Sequence, residues 1–127
     1  MDSRQGVLTG LYVLVVDDDL DAREILSSVL GYFGAFVTAS KGVADARRLL
    51  HEVAPDVVLA HMRLGGSDGF RLLNEARRER NYTPFIAISG QDFDPGELQD
   101  AGFAAYLRKP LDHVRLVDTI LAVIRDR

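Results

Sequence analysis

The sequence predicts a doubly wound α/β domain: parallel strands, each followed by a helix that crosses back over the sheet. Three observations predict it. Short unbroken apolar runs alternate along the chain with longer stretches in which apolar residues recur every three or four positions. The runs carry almost no polar residues, as strands covered by helices on both faces do. The chain has 127 residues, 47% hydrophobic and 27% charged, the length and balance of one globular domain.

Each element follows in order. Residues 1–10 are read as an N-terminal tail and 11–127 as the domain. Leu11–Val16 is a run of apolar residues and predicts a strand buried on both faces. Asp17, Asp18 and Asp19 break it, and Asp19 is the expected cap of the next helix. That helix carries one apolar stripe, Ala22, Ile25, Leu26, Val29, Leu30 and Phe33, and stops at Gly34. Phe36–Ala39 is the second strand. Ser40 is the expected N-cap of a helix marked by Val43, Ala46, Leu49, Leu50 and Val53 and ended by Pro55. Val57–Ala60 is the third strand, and a loop from His61 to Ser67 follows. Ser67 or Asp68 caps a third helix with Phe70, Leu73 and Ala76 inward. Phe85–Ile88 is the fourth strand, Asp94–Ala101 a short helix and Ala104–Leu107 the fifth strand. Val114, Val117, Leu121 and Ile124 line the last helix. Right-handed crossovers and five strands fit the order 2-1-3-4-5, the flavodoxin-like (βα)5 arrangement.

Composition narrows the function. With no cysteine, a disulfide scaffold, a thiolate zinc site and a cysteine nucleophile are excluded. A net charge of −4 without a basic run argues against direct binding to nucleic acid or an anionic membrane. The longest apolar stretch, Val7–Val16, is interrupted by Thr9 and Gly10 and is too short to span a bilayer. It lacks the flanking pattern of a signal peptide, so the expected location is cytoplasmic. Arginine is the ordinary cation here, 13 residues against two lysines, Lys41 and Lys109. A lysine is therefore the less expected choice, and its compact point charge serves phosphate differently from a guanidinium fork.

In a doubly wound sheet, ligands sit beyond the carboxyl ends of the strands. Those ends bring Asp17 and Asp18, His61, Ser89 and Gly90, and Arg108, Lys109 and Pro110. Four stretches around them resemble one family. Val15-Val16-Asp17-Asp18-Asp19 resembles the opening of the receiver domain of two-component response regulators. Pro55-Asp56-Val57-Val58-Leu59, then Gly66-Ser67-Asp68-Gly69-Phe70, resembles its third strand and following loop. Ile88-Ser89-Gly90 and Tyr106-Leu107-Arg108-Lys109-Pro110 resemble the ends of its fourth and fifth strands.

The resemblance implies a CheY-like phosphorelay module. In that family an aspartate ending strand 3 takes a phosphoryl group from a histidine kinase, and two acids after strand 1 hold Mg2+. A lysine and a strand-4 hydroxyl grip the phosphoryl oxygens. Asp17 and Asp18 match the metal acids, Ser89 and Lys109 the phosphate grip. Tyr106 matches an aromatic that swings inward on activation. A cis bond before Pro110 is implied as well. The acceptor position falls on His61, with Asp56 at the far end of the strand and Asp68 at a helix cap; Gly65 replaces the usual loop proline. The expectation is thus a pseudo-receiver, not an enzyme, that signals by protein contact without phosphorylation. Its partner face would be helix 4, strand 5 and helix 5.

With one carboxylate fewer beside Lys109, and a protonated His61 further reducing the negative charge, Mg2+ binding should be weak or lost. Rival readings attach to His61. It can accept phosphate itself, although an imidazole is longer than a carboxyl and misplaces the phosphorus. It can hold a transition metal with Asp17 and Asp18. A flavin site is opposed by the three aspartates after strand 1, and a cobalamin site by Leu59 where an aspartate is needed. His51, His113 and the stretch Arg77-Arg78-Glu79-Arg80 read as solvated helix residues.

Overall fold

A computed structural model of the chain describes residues 4–64 and 67–126. The elements alternate as β1 (Tyr12–Val16), α1 (Leu20–Tyr32), β2 (Phe36–Ser40), α2 (Val43–Val53), β3 (Val57–His61), α3 (Gly69–Arg78), β4 (Phe85–Ser89), α4 (Pro95–Ala101), β5 (Ala105–Arg108) and α5 (His113–Arg125). The five strands are all parallel in the order β2-β1-β3-β4-β5, the predicted flavodoxin-like topology. Between β3 and α3, Arg63–Leu64 pairs antiparallel with Ser67–Asp68. Strands of two residues show no hydrophobic period, and this hairpin was not legible as one. Gly65 and Gly66, placed by the sequence reading in this loop, lie outside the described residues.

The pleat sends alternate side chains to opposite faces of the sheet. On one face Leu14, Val16, Val58, Ala60 and Phe85 pack under α2, α3 and α4, against Leu49, Leu50, Leu72, Leu73 and Leu98. On the other Val13, Val15, Val57, Leu59, Ile86 and Ile88 pack under α1 and α5, against Leu26, Leu30, Leu116, Val117 and Ile120. Each of these side chains larger than alanine contributes about 1.5–3 kcal/mol when fully buried.

Caps and helix faces depart from the sequence reading in four places. The N-cap of α2 is Gly42; Ser40 ends β2, and its hydroxyl oxygen accepts from the Gly42 N–H at 3.4 Å. In α1, Ile25 is 61% exposed, although Leu26, Leu30 and Phe33 are buried as expected. In α5 the buried residues are Leu116, Val117, Ile120 and Val123, while Val114 faces solvent. The Arg77–Arg80 stretch is not simply solvated. Arg77 lies over the rings of Tyr82 and Phe85 and donates to the carbonyls of Asn81 at 2.9 Å and Thr83 at 3.1 Å. Burial holds its guanidinium below the usual arginine range.

Other terminators follow the expected chemistry. Asp19 accepts from the Ala22 N–H and caps α1, Asp68 accepts from Arg71 and caps α3, and Asp112 caps α5. Ala54 takes a left-handed conformation before Pro55 and closes α2. Residues 4–10, read as a tail, form turns that carry Leu8 into the α1–α5 layer, fully buried.

Candidate functional site

Strand register decides which side chains meet. Val16 stands opposite Ser40 and Ala60, His61 opposite Ile88, and Ser89 opposite Arg108. The residues that follow or end these strands therefore share one edge of the sheet: Asp17, Asp18, His61, Ser89 and Lys109.

Asp17 prolongs the β1–β2 pairing, its N–H donating to the Ser40 carbonyl at 3.0 Å. Its side chain turns inward and is 2% exposed. Oδ1 accepts from the Asp19 N–H at 3.0 Å, and Arg23 donates to the Asp17 carbonyl at 2.8 Å. Oδ2 is different. It accepts no hydrogen bond among the described residues, and Lys109 Nζ lies 3.6 Å away. Asp18, next along, is exposed.

His61 ends β3 half-buried. Its Nδ1 sits 2.8 Å from the Arg63 carbonyl oxygen. That carbonyl pairs with the tautomer protonated at Nδ1, whereas the Arg63 N–H, 3.3 Å from the same nitrogen, pairs with the other. One donor atom each from Asp17, Asp18 and His61 lies within 4.8 Å of the others.

Ser89 is buried at the end of β4, and its Oγ accepts from the Gln91 N–H at 2.9 Å. The Lys109 N–H donates to the Ser89 carbonyl at 2.8 Å, which carries the lysine to the pocket edge. The Lys109–Pro110 bond is cis, as the resemblance implied. Tyr106 stands half-buried against Phe93 and donates its hydroxyl proton to the Gln91 carbonyl at 2.8 Å. Gln91 thus links the Ser89 hydroxyl to the Tyr106 phenol.

The other acids near β3 are committed elsewhere. Asp56 lies at the opposite end of the sheet, accepting from the Tyr12 N–H at 2.8 Å, and Asp68 caps α3. Among the described residues, β3 contributes no acidic side chain at its carboxyl end. Arg23, Gln91 and the Arg63 carbonyl support the site without a signal in the sequence. A main-chain acceptor has no side-chain signature, and Arg23 reads as one more charge on an amphipathic helix.

The chain belongs to the response regulator receiver domain family, whose model matches residues 13–121. It is 32% identical over 114 residues to an uncharacterized 14.6 kDa protein of Leptolyngbya boryana, covering 87% of each chain. It is 32% identical over 116 residues to the protein PetR of Rhodobacter capsulatus, covering 90% of this chain but only 48% of that one. It thus spans about half the length of PetR. The receiver domain of the Francisella response regulator 1452 superposes with a TM-score of 0.85 at 24% identity, covering 92% of this chain and 98% of that one; at that identity it bears on the fold alone. Among the described residues no helix is long and apolar enough to cross a membrane.

Proposed function

We propose that this receiver domain works as a phosphorylation-independent interaction module, an atypical response-regulator receiver in two-component signalling. The observation that carries the reading is the end of β3, where a half-buried imidazole stands beside Asp17 and Asp18 and, among the described residues, β3 itself ends in no acid. Phosphoryl uptake in this family needs a carboxylate nucleophile and a metal to neutralise charge on the transferring group. His61 supplies neither. The donor set also fits Mg2+ poorly, since that ion demands oxygen ligands in near-ideal octahedral geometry. Lys109 meanwhile rests 3.6 Å from Asp17 Oδ2, so the buried carboxylate has a cation partner from the protein itself.

The domain acts as no enzyme in this reading, and it works in the cytoplasm on protein partners rather than nucleic acid or membrane. The proposed contact face is α4–β5–α5, where Gln99, Ala104, Val114 and Arg115 are exposed and Tyr106 is half-buried. Through Gln91, Tyr106 ties that face to Ser89.

Acetyl phosphate with Mg2+, read by intact mass, tests the proposal. The parent protein should take up no phosphoryl group. His61→Asp should take up one, because Asp17, Asp18, Ser89 and Lys109 are already in place. A parent that labels as well as the variant overturns the reading and makes His61, or another side chain, an acceptor.

A further inference from the structure

We propose that the groove between β5 and α5 docks an extended, arginine-bearing segment of a partner protein, and that Arg4 of this chain's own N-terminal segment competes for the same place. The inference rests on the reading above, in which this face signals by contact, and it gives that face its partner chemistry.

The groove has a volume of about 450 Å³, with Ala104 and Ala105 from the start of β5 on one side and α5 on the other. Among the described residues β5 is the outer strand of the sheet and pairs with β4 alone. Such an edge offers main-chain donors and acceptors to an added extended segment. The two alanines are too small to close it off. Charge comes from α5 and its cap. Asp112, Asp118 and Asp126 line the groove against one base, Arg115, and all four are exposed. Three carboxylates facing one guanidinium attract a cationic segment and repel an acidic one. Carboxylates also favour arginine over lysine, because the planar guanidinium pairs through two parallel N–H groups and an ammonium does not.

The chain itself displays the pairing. Arg4 Nη1 donates to Asp118 Oδ1 at 2.6 Å, a contact between residues 114 apart in sequence. A guanidinium from outside the sheet thus already rests on the central acid of the groove. Both side chains are well exposed, 39% and 55%. An ion pair so exposed holds weakly, so a partner guanidinium can take over Asp118 at small cost. Leu8, fully buried four residues on, keeps the N-terminal segment in place when Arg4 lets go. Arg4 therefore occupies Asp118 in the free protein and leaves it in the complex.

The test is fluorescence anisotropy with a labelled nonapeptide alternating arginine and valine, at about 0.15 M salt to screen distant charges. Versions with lysine, citrulline or glutamate in place of arginine are the comparisons. The parent should bind the arginine peptide, the lysine peptide more weakly, and the citrulline and glutamate peptides not at all. Asp118→Asn should weaken binding about fivefold, and Arg4→Ala should tighten it about two- to fivefold. In the Asp118→Asn background Arg4→Ala should change nothing, because the contested carboxylate is gone. A mere loss of positive charge would tighten binding equally in both backgrounds. Asp21→Asn/Glu24→Gln, which removes two exposed acids of α1, should bind as the parent does. The proposal is overturned by a parent that binds the citrulline peptide as well as the arginine one or binds neither, by undiminished binding in Asp118→Asn, by an Arg4→Ala gain that persists without Asp118, or by binding lost in the α1 variant. A dimer that Asp118→Asn dissociates, read by light scattering, gives the groove to a second copy and overturns it as well. Phosphoryl uptake is read separately by mass. A parent that labels sinks the reading of His61 whatever the peptide does, and an unlabelled parent that ignores the peptide sinks this inference alone.

Discussion

At the scale of single residues, Lys109 and Asp17 form the pair on which the pocket's electrostatics turn. The carboxylate is buried, the ammonium partly exposed, and they stand 3.6 Å apart. Removing one partner of such a pair leaves an uncompensated buried charge, which costs more than the pair itself contributes. Lys109→Met should therefore destabilise the metal-free domain by about 1–3 kcal/mol, the lower end reflecting the lysine's exposure. In an Asp17→Asn background the same change should cost much less, because the stranded charge is gone. Urea unfolding of the four proteins of that cycle, in chelator, measures the coupling; equal costs in both backgrounds would show that Lys109 does not serve Asp17. Both residues were legible as pocket residues because they follow strand ends and lysine is rare in the chain, but their pairing was not. Ser89 was legible for the same positional reason. The state of His61 was not. Its proton position depends on a main-chain carbonyl two residues on, and backbone geometry in a hairpin of two-residue strands has no side-chain pattern to announce it.

At the scale of elements, the strands could be read almost residue for residue, while helix faces could not. The stretch His113–Arg125 has apolar residues at 114, 116, 117, 120, 121, 123 and 124. That set spans a wide arc, and more than one stripe can be drawn through it. Packing in the core layer shared with α1 selects Leu116, Val117, Ile120 and Val123, turning Val114 outward. The same limit hid the polar seam between α2 and α3. Arg47 meets Glu79 and lies 3.5 Å from Glu75, while His51 Nε2 lies 2.7 Å from Glu79 Oε2. Sequence separation of 28 to 32 residues conceals these pairs. His51 and then Arg47 hold the Glu79 carboxyl below its ordinary value of 4.5. A carboxyl lowered on folding adds stability above its unfolded value, and that stability is lost as the pH falls through the folded value. Glu79→Gln should therefore destabilise the domain at about pH 5, with the difference shrinking towards about pH 3. The effect is small, as for exposed pairs in general. Denaturation midpoints of both proteins across that interval check it, and a constant or growing gap would refute the seam's role.

At the scale of the whole molecule, the sheet has two ends with separate duties. The carboxyl end gathers the candidate site, and the amino end is closed by a segment without secondary structure that the sequence reading set aside. Residues 4–10 contain no periodicity, and one leucine among turn residues gives no sign of burial. Yet Leu8 is fully buried in the α1–α5 layer, and its N–H donates to the Phe33 carbonyl at 2.8 Å. The turn lies so close to the end of α1 that a Cβ on Gly34, at φ +101°, would stand 2.6 Å from Thr9 Oγ1 and 3.1 Å from the Gly6 Cα. Arg4 adds an ion pair to Asp118 of α5 at 2.6 Å. The segment thus works as a plug under β1 and β2. Leu8→Ala should cost about 2–4 kcal/mol, the range for a buried leucine whose surroundings cannot fully collapse. Gly34→Ala should destabilise as well, through both its positive φ and the clash with Thr9. Because the plug and the pocket occupy opposite ends of the sheet, the coupling between Lys109 and Asp17 should be the same in Leu8→Ala as in the parent wherever the variant is folded. Urea unfolding of that variant, alone and combined with the Lys109 and Asp17 changes, separates the two duties. A stability loss under about 1 kcal/mol would mean that the segment rides on the surface, and a large change in the coupling would mean that the ends are coupled through β1.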